Sequence, residues 1–160
     1  MKKLIFLGAL ALFTCLDSAA QEYKIVTVVE SIVPGGVGRS RIIETTSEAD
    51  SEAATTERID GKKSDQGNVK RGDLKVDNFK ETKLVNFFSA AGINFQKIAS
   101  HDALISDKVN NMVAAGWSLE FVVSGVESDA GKPDGQGLYM TRFIFKKYKQ
   151  ISIKKADRIN

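Results

Sequence analysis

The sequence predicts an α+β fold in which one main helix packs across a small antiparallel sheet of about four or five strands. Two observations lead to this prediction. Runs of β-branched and aromatic residues, typical of strands, occur in both halves of the chain, and an apolar repeat with helical spacing lies between them. The chain has 160 residues, of which 42% are hydrophobic and 27% are charged. This balance is that of one globular domain, and it excludes collagen, coiled coils and multi-span membrane proteins.

The first folded segment is predicted to be a long β-hairpin. Tyr23 to Val33 is rich in β-branched residues, and Arg39 to Thr45 resumes the strand pattern. Between them, Pro34 to Gly38 supplies glycines that can adopt the positive φ of a turn. The two strands are therefore expected to pair with each other.

Residues 45–78 are predicted to be a polar and mobile insertion within the domain, with at most a short ribbon around Asp60-Gly61. The segment is highly charged and has few large apolar side chains, so it buries too little surface to order itself alone. Residues 81–91, which follow, fit either a helix or a strand. Their Thr, Val and Phe content favours a strand that continues through Ile93, Phe95 and Ile98, with Gly92 at a bulge.

The clearest helix signal lies between Ser100 and Gly116. Ser100 is the predicted N-cap, and Asp102 in the first turn suits the helix dipole. The apolar positions that recur at helical spacing are Ile105, Val109, Met112 and Val113. Gly116 is expected to end the helix in the left-handed conformation, with Trp117 packed back on Met112 in a Schellman motif.

Two further strands are predicted after the helix. Trp117, Leu119, Phe121 and Val123 alternate with polar residues, which indicates a strand with one face in the core. A turn containing Lys132-Pro133-Asp134-Gly135 follows. The strand from Leu138 to Phe145 is apolar on both faces, so we expect it to be central in the sheet or covered by the helix.

Residues 1–20 are predicted to be a secretory signal peptide. Two lysines precede an unbroken apolar run from Leu4 to Phe13, and small residues ending at Ala20 suit signal peptidase. We therefore expect cleavage after Ala20 and a periplasmic or secreted protein. The alternative is a membrane-tethered lipoprotein attached through Cys15, which the preceding Thr disfavours because Gly, Ala or Ser is usual there. If Cys15 is removed, the mature chain contains no cysteine and therefore no disulfide.

The helix end carries a resemblance to a known kind of protein. Residues 112–122 read MVAAGWSLEFV, a YKIVTVV strand precedes them, and a hairpin ending in FIFKK follows. This pattern resembles a family of small bacterial domains of unknown function that end their helix in Gly-Trp-x-Leu and continue directly into a strand. The resemblance covers Tyr23 to Thr45 and about Ser100 to Lys147. Usual members have Glu where this chain has Ser118.

The whole chain is also similar to secreted bacterial proteins that carry PGGxGRSR and SGVES stretches. Here these stretches are Pro34 to Arg41 and Ser124 to Ser128. The two resemblances imply an α+β fold and export from the cell. Neither kind of protein has an assigned activity, so the resemblance supplies no catalytic residue.

The candidate site residues are few. His101 is the single histidine, which leaves one candidate general base, but the consecutive Ser100-His101-Asp102 is better interpreted as part of a helix cap than as a triad. Glu127, Asp129 and Asp134 lie in one predicted loop, where carboxylates can hold a cation or act as an acid and base pair.

A second candidate is a pair of arginines on one predicted strand. Arg39 and Arg41 are two residues apart and so share a face, an arrangement that suits a carboxylate or phosphate ligand. A charged edge that blocks aggregation explains the same pair more simply. No cofactor motif or metal-ligand spacing is present in the sequence.

The leading functional hypothesis is a non-enzymatic binding domain of the bacterial envelope or exterior. The alternatives are an envelope hydrolase that uses loop carboxylates with His101, and the tethered lipoprotein. The expected partner is an envelope or extracellular component, since an exported location argues against nucleic acid. Residues 148–160 form a basic tail suited to peripheral contact with an anionic surface.

Overall fold

The fold is that of a computed structural model, which describes residues 20–31, 39–89, 91–127 and 137–149. Its strands are β1 (Ala20–Ser31), β2 (Arg41–Thr45), β3 (Phe79–Lys83), β4 (Phe88–Ser89), β5 (Gly92–Ile93), β6 (Ser118–Glu127) and β7 (Leu138–Lys149). In these described ranges one α-helix, α1, spans Phe95–Ala114. Within the described residues, a five-stranded sheet has the order β3-β2-β1-β7-β6, with every neighbouring pair antiparallel. The α+β class predicted from the sequence is confirmed.

The two longest strands form the middle of the sheet. β1 pairs with β7 along its whole length, from Ala20 opposite Lys149 to Ser31 opposite Leu138. The strand predicted to be apolar on both faces is therefore central, flanked by β1 and β6. Because side chains alternate between the faces of a strand, this register decides which residues face the helix.

The core lies between the sheet and α1. Val26 and Val28 of β1, Ile42 of β2 and Phe145 of β7 are buried on the helix side, together with Met112 of the helix. Leu84, just after β3, completes this buried cluster, and the partly buried Ile105, Val109, Trp117 and Phe143 pack against it. Val113, predicted to lie on the same apolar stripe, is 54% exposed and faces away from the core.

The helix begins earlier than the sequence predicts. Asn94 is the N-cap, and its side-chain oxygen accepts a hydrogen bond from the backbone N–H of Lys97 at 3.1 Å. The prediction of Ser100 as N-cap is therefore wrong, as is a strand through Ile93, Phe95 and Ile98. A short β4–β5 hairpin, in which Gly92 has a φ of +109°, ends the extended segment just before the cap. Ser100 instead donates its hydroxyl to the carbonyl of Gln96 in the second turn.

The helix ends in a Schellman motif. Gly116 has a φ of +85°, which favours glycine because a Cβ is strained in this conformation. The N–H of Gly116 donates to the carbonyl of Val113 at 2.9 Å, and that of Trp117 donates to the carbonyl of Met112 at 3.1 Å. The chain therefore turns directly from α1 into β6.

A bulge changes the predicted orientation of β6. The register against β7 shifts between Leu119 and Phe121, so Leu119 lies opposite Phe145 on the helix side and Phe121 lies opposite Ile144 on the other side. The prediction that Trp117, Leu119, Phe121 and Val123 share one buried face is therefore wrong. Phe121 and Val123 lie on the face away from the helix and are about half exposed.

The polar insertion connects β2 to β3 as a long loop. Its two ends meet where the backbone N–H of Thr46 and the hydroxyl of Ser47 both donate to the carbonyl of Asn78. Two short 3-10 turns, Glu52–Ala54 and Asp65–Asn68, interrupt it, and most of its side chains are exposed. Around Asp60 and Gly61 the backbone forms a turn with positive φ rather than the predicted ribbon. Its mobility stays a prediction.

Candidate binding surface

The face of the sheet opposite α1 is here named the open face. Strand alternation sends every second residue of each strand to it, and the pairing register arranges these residues in rows across the sheet. One row runs through Glu81, Ile43, Thr27, Arg142 and Val123, and the next through Lys83, Arg41, Val29, Met140 and Gly125. Further along the strands lie Phe79, Ile25, Ile144 and Phe121, and then Tyr23, Lys146 and Tyr148.

Large apolar and aromatic side chains remain uncovered on the open face. Tyr23 is 55% exposed and Phe121 is 59% exposed, and Ile25, Phe79, Val123 and Tyr148 are also about half exposed. Isolated exposed apolar residues are normal, but rows of them on neighbouring strands form a contiguous patch. Such a patch on a β-sheet is a site where a partner can bury apolar surface.

Charged side chains lie in and beside these rows, and among the side chains that the structure describes on this face the basic ones outnumber the acidic ones. The basic side chains are Arg41, Lys83, Arg142 and Lys146, and the acidic ones are Glu81 and Glu120. Lys146 donates to Glu120 at 3.0 Å, and this hydrogen bond raises the pKa of the lysine. The same ammonium lies 5.5 Å from the ring centroid of Tyr148, within the range of a cation–π contact. The open face therefore combines aromatic surface with basic side chains.

The two predicted arginines both line one shallow depression on this face. Arg39, Arg41 and Glu81 contribute its polar wall, with Phe79 and Ile43 among its apolar lining. Arg41 donates to Glu81 at 2.6 Å across β2 and β3, so its guanidinium is held in place by a carboxylate. β2 begins at Arg41, so Arg39 lies just before the strand rather than within it.

The other predicted site residues are dispersed or undescribed. Glu127 ends β6 opposite Leu138, and Asp129 and Asp134 lie outside the described residues. Ala20, the predicted cleavage position, is the first residue of β1 and pairs with Lys149. Gly116 and Trp117 have the structural role described above, and the indole of Trp117 also lies 5.8 Å from the ammonium of Lys147.

His101 lies in the interior on the helix side. Its Nδ1 is 2.7 Å from a carboxylate oxygen of Glu30 in β1, and its Nε2 contacts the backbone carbonyl oxygen of Val85. The ring of Phe87 packs edge-on against it at 5.7 Å. These contacts link α1 to β1 and to the segment after β3. The side chain is 1% exposed, so a substrate in solution cannot reach it as a base.

A second buried polar cluster, which the sequence did not indicate, lies nearby on the helix side of β2. Glu44 accepts hydrogen bonds from Lys108 of α1 and Lys24 of β1. Burial of this carboxylate acts to raise its pKa, but the two lysines outweigh burial and hold the pKa below its ordinary value of 4.5. The glutamate therefore links the helix to two strands.

The described ranges contain no group of three or more His, Cys, Asp or Glu side chains arranged to hold a metal ion. None of the helices in the described part of the chain has the length and hydropathy required to cross a bilayer.

No family model, curated protein or solved structure matches the chain. The candidate site therefore rests on the geometry of the open face.

Proposed function

We propose that this protein is a non-enzymatic binding domain of the bacterial envelope or exterior that holds its partner on the open face. The observation that carries the proposal is the contiguous patch of half-exposed aromatic and aliphatic side chains on that face, including Tyr23, Phe121 and Tyr148. The sheet beneath is a continuous hydrogen-bonded scaffold of five strands. A rigid scaffold lowers the entropic cost of binding because its side chains are already positioned.

The charge of the open face favours a partner with acidic groups. Arg142 and Lys83 lie in rows beside the apolar patch, and Arg41 and Lys146 are oriented by carboxylates. Aromatic rings flanked by cations suit ligands that offer both apolar surface and anionic groups. Acidic envelope polymers and acidic protein surfaces meet this description, and export through the predicted leader would bring the domain to them.

The placement of His101 supports a binding role over hydrolysis. Its imidazole contacts Glu30 and Val85 inside the protein, on the side of the sheet away from the open face. A general base must lie within hydrogen-bond reach of the group from which it takes a proton. Alanine substitution of Glu127, Asp129 or Asp134 should accordingly leave the biological role intact.

Native mass spectrometry tests the proposal on protein purified from its own envelope fraction. The wild-type spectrum should show a reproducible retained component in addition to the chain. The double substitution Tyr23→Ser with Phe79→Ser removes two aromatic side chains from the open face and should abolish retention. Both residues are about half exposed, so the fold should tolerate their loss.

The matched control is Val113→Ser, which removes an equally exposed apolar side chain from the outer side of α1. This variant should retain the component. Equal retention by the control and the double variant, with both folded, would refute a role of the open face. Loss of retention in the control alone would place the binding surface on the helix.

A further inference from the structure

The two edges of the sheet differ in how they are protected from pairing with another strand. β3 is one edge, and its sequence FKETK places alternating charges along five residues. β6 is the other edge and is twice as long, with the sequence SLEFVVSGVE. No charged residue or proline occurs between Glu120 and Glu127. Proteins normally protect an exposed edge with charge, proline, a bulge or a short strand. The bulge of β6 lies before Phe121, and the segment from Phe121 to Val126 has none of these devices.

Both faces of β6 carry apolar side chains that are about half exposed. On the open face, Phe121 and Val123 are about half exposed. On the helix side, α1 covers the central strands, while Val122 remains 50% exposed and Val126 60% exposed. Both valines follow the bulge, in the part of β6 that keeps a regular register with β7. Among the described strands, none pairs with the outer edge of β6, so this edge offers backbone hydrogen-bonding groups and apolar side chains together.

The pattern of β6 is complementary to itself in an antiparallel pair centred on Ser124. In that register Val122 of each copy lies opposite Val126 of the other, and Val123 lies opposite Gly125. A two-fold axis perpendicular to the sheet relates the copies and keeps their helix sides on the same face. Four valines then meet on the helix side of the junction, where each is between 50% and 60% exposed in the single chain. The small Gly125 leaves room for Val123 on the open face.

We propose that two copies of this protein pair along β6 and join their five-stranded sheets into one continuous sheet. The proposal goes beyond binding on the open face, because it needs no other component. Pairing extends each open face across the junction, so that the two patches of the dimer become continuous. A second copy fits this edge better than an unrelated strand since the same residues supply both halves of the valine cluster.

Sedimentation velocity of the purified protein in buffer measures the assembly. The wild-type chain should sediment at twice the monomer mass, and Val122→Lys should raise the dimer Kd by at least about tenfold because a charge would enter the apolar junction. Val113→Lys is the matched control, because it places the same charge at an equally exposed valine on α1. The control should remain dimeric, as should the Tyr23→Ser and Phe79→Ser variant of the open face.

A cysteine cross-link tests the register without disturbing the apolar contacts. In a Cys15→Ser background, Ser124→Cys places one thiol on each copy at the two-fold axis and should give an interchain disulfide on mild oxidation. Ser106→Cys, at an exposed position on α1, should not cross-link. The cross-linked species should resist dilution, whereas the unmodified dimer should dissociate.

Several outcomes would overturn the proposal. These are a wild-type monomer at all accessible concentrations, a dimer unaffected by Val122→Lys, or cross-linking equal at positions 124 and 106. A monomer that instead retains a different chain, lost on Val122→Lys, would assign the edge to an unrelated strand. If the Tyr23→Ser and Phe79→Ser variant still retains its partner in the mass-spectrometry experiment, the binding proposal fails but the dimer proposal is not affected. The two proposals are therefore tested separately.

Discussion

Glu44 shows how one residue couples the helix to the sheet. Its side chain is 8% exposed on the helix side of β2, and its carboxylate contacts the ammonium groups of Lys24 and Lys108. A buried carboxylate without partners would be costly, and these two cations offset the cost. The pair formed by Arg41 and Glu81 on the open face has similar chemistry, but both of its side chains are over a third exposed.

Substitution of Glu44 by Gln should therefore destabilise the protein much more than the same change at Glu81. Glu44→Gln leaves two ammonium groups beside a neutral amide in a buried site, and we expect the free energy of unfolding to fall by about 1–3 kcal/mol. Glu81→Gln breaks an exposed ion pair and should cost less than about 1 kcal/mol. Urea denaturation of the three proteins measures the difference. Equal losses would contradict the structural role assigned to Glu44.

The stability of the protein should depend on pH through the same carboxylate. The pKa of Glu44 is lower in the folded chain than its ordinary value of 4.5. Its contribution is therefore fully present above pH 4.5 and is lost as pH falls from that value through the folded pKa. The stability difference between wild type and Glu44→Gln should narrow over that range, as urea midpoints at a series of pH values would show. A constant difference would indicate that the carboxylate is not preferentially ionised in the fold.

At the scale of the elements, the two ends of α1 differ in how far local sequence determines them. The C-terminal end can be predicted from the sequence because the φ of +85° at position 116 favours glycine. The N-terminal end is ambiguous since Asn94 and Ser100 are both good N-cap residues. In the structure the short hairpin of β4 and β5 keeps the chain extended up to Ile93, and the helix begins directly after it at Asn94.

Substitution of Gly116 by Ala tests the helix stop. A Cβ at this position would lie 3.4 Å from Cε of Lys147, an ordinary contact, so the cost comes from the left-handed backbone rather than from a clash. We expect the free energy of unfolding to fall by about 1 kcal/mol. Gly72→Ala is the control, because that glycine has no positive φ and an added methyl group there would meet no neighbour within 4 Å. A loss no greater at Gly116 than at Gly72 would argue against the assigned stop.

The bulge in β6 is the element that local sequence could not reveal. Trp117, Leu119, Phe121 and Val123 alternate regularly and so predict one buried face. The extra residue at Glu120 appears only when β6 is paired with β7, and it sends Phe121 and Val123 to the open face. A bulge depends on cross-strand register, which is a tertiary property.

At the scale of the whole molecule, the fold class follows from the sequence, whereas the candidate site follows only in part. The strand runs, the helical repeat and the Gly-Trp junction are local patterns, and together they predict a sheet with one helix. Arg39 and Arg41 are candidates because of their spacing, and both line a depression on the open face. The open face itself could not be predicted, because alternation in a strand does not say which side a single helix will cover.

α1 packs on one face of the sheet, and the side chains of the open face are either covered by a partner or remain in water. The open face carries rows of aromatic and aliphatic side chains with basic neighbours, and β6 is the edge strand beside them in the described sheet. Binding on the face and pairing at the edge are the two proposals that account for these features. Both proposals require that the sheet and the helix form a stable scaffold. The substitutions of Glu44 and Gly116 test the contacts that hold this scaffold together.

If a partner covers the open face in the cell, hydroxyl-radical footprinting should detect that protection. Labelling of aromatic side chains is compared between intact envelopes and purified protein. Tyr23, Phe79 and Tyr148 should be labelled in purified protein and protected in the envelope. Phe95, 78% exposed at the start of α1, serves as an internal control and should be labelled equally in both. Equal labelling of the open face in both samples, or protection confined to Phe95, would contradict the account.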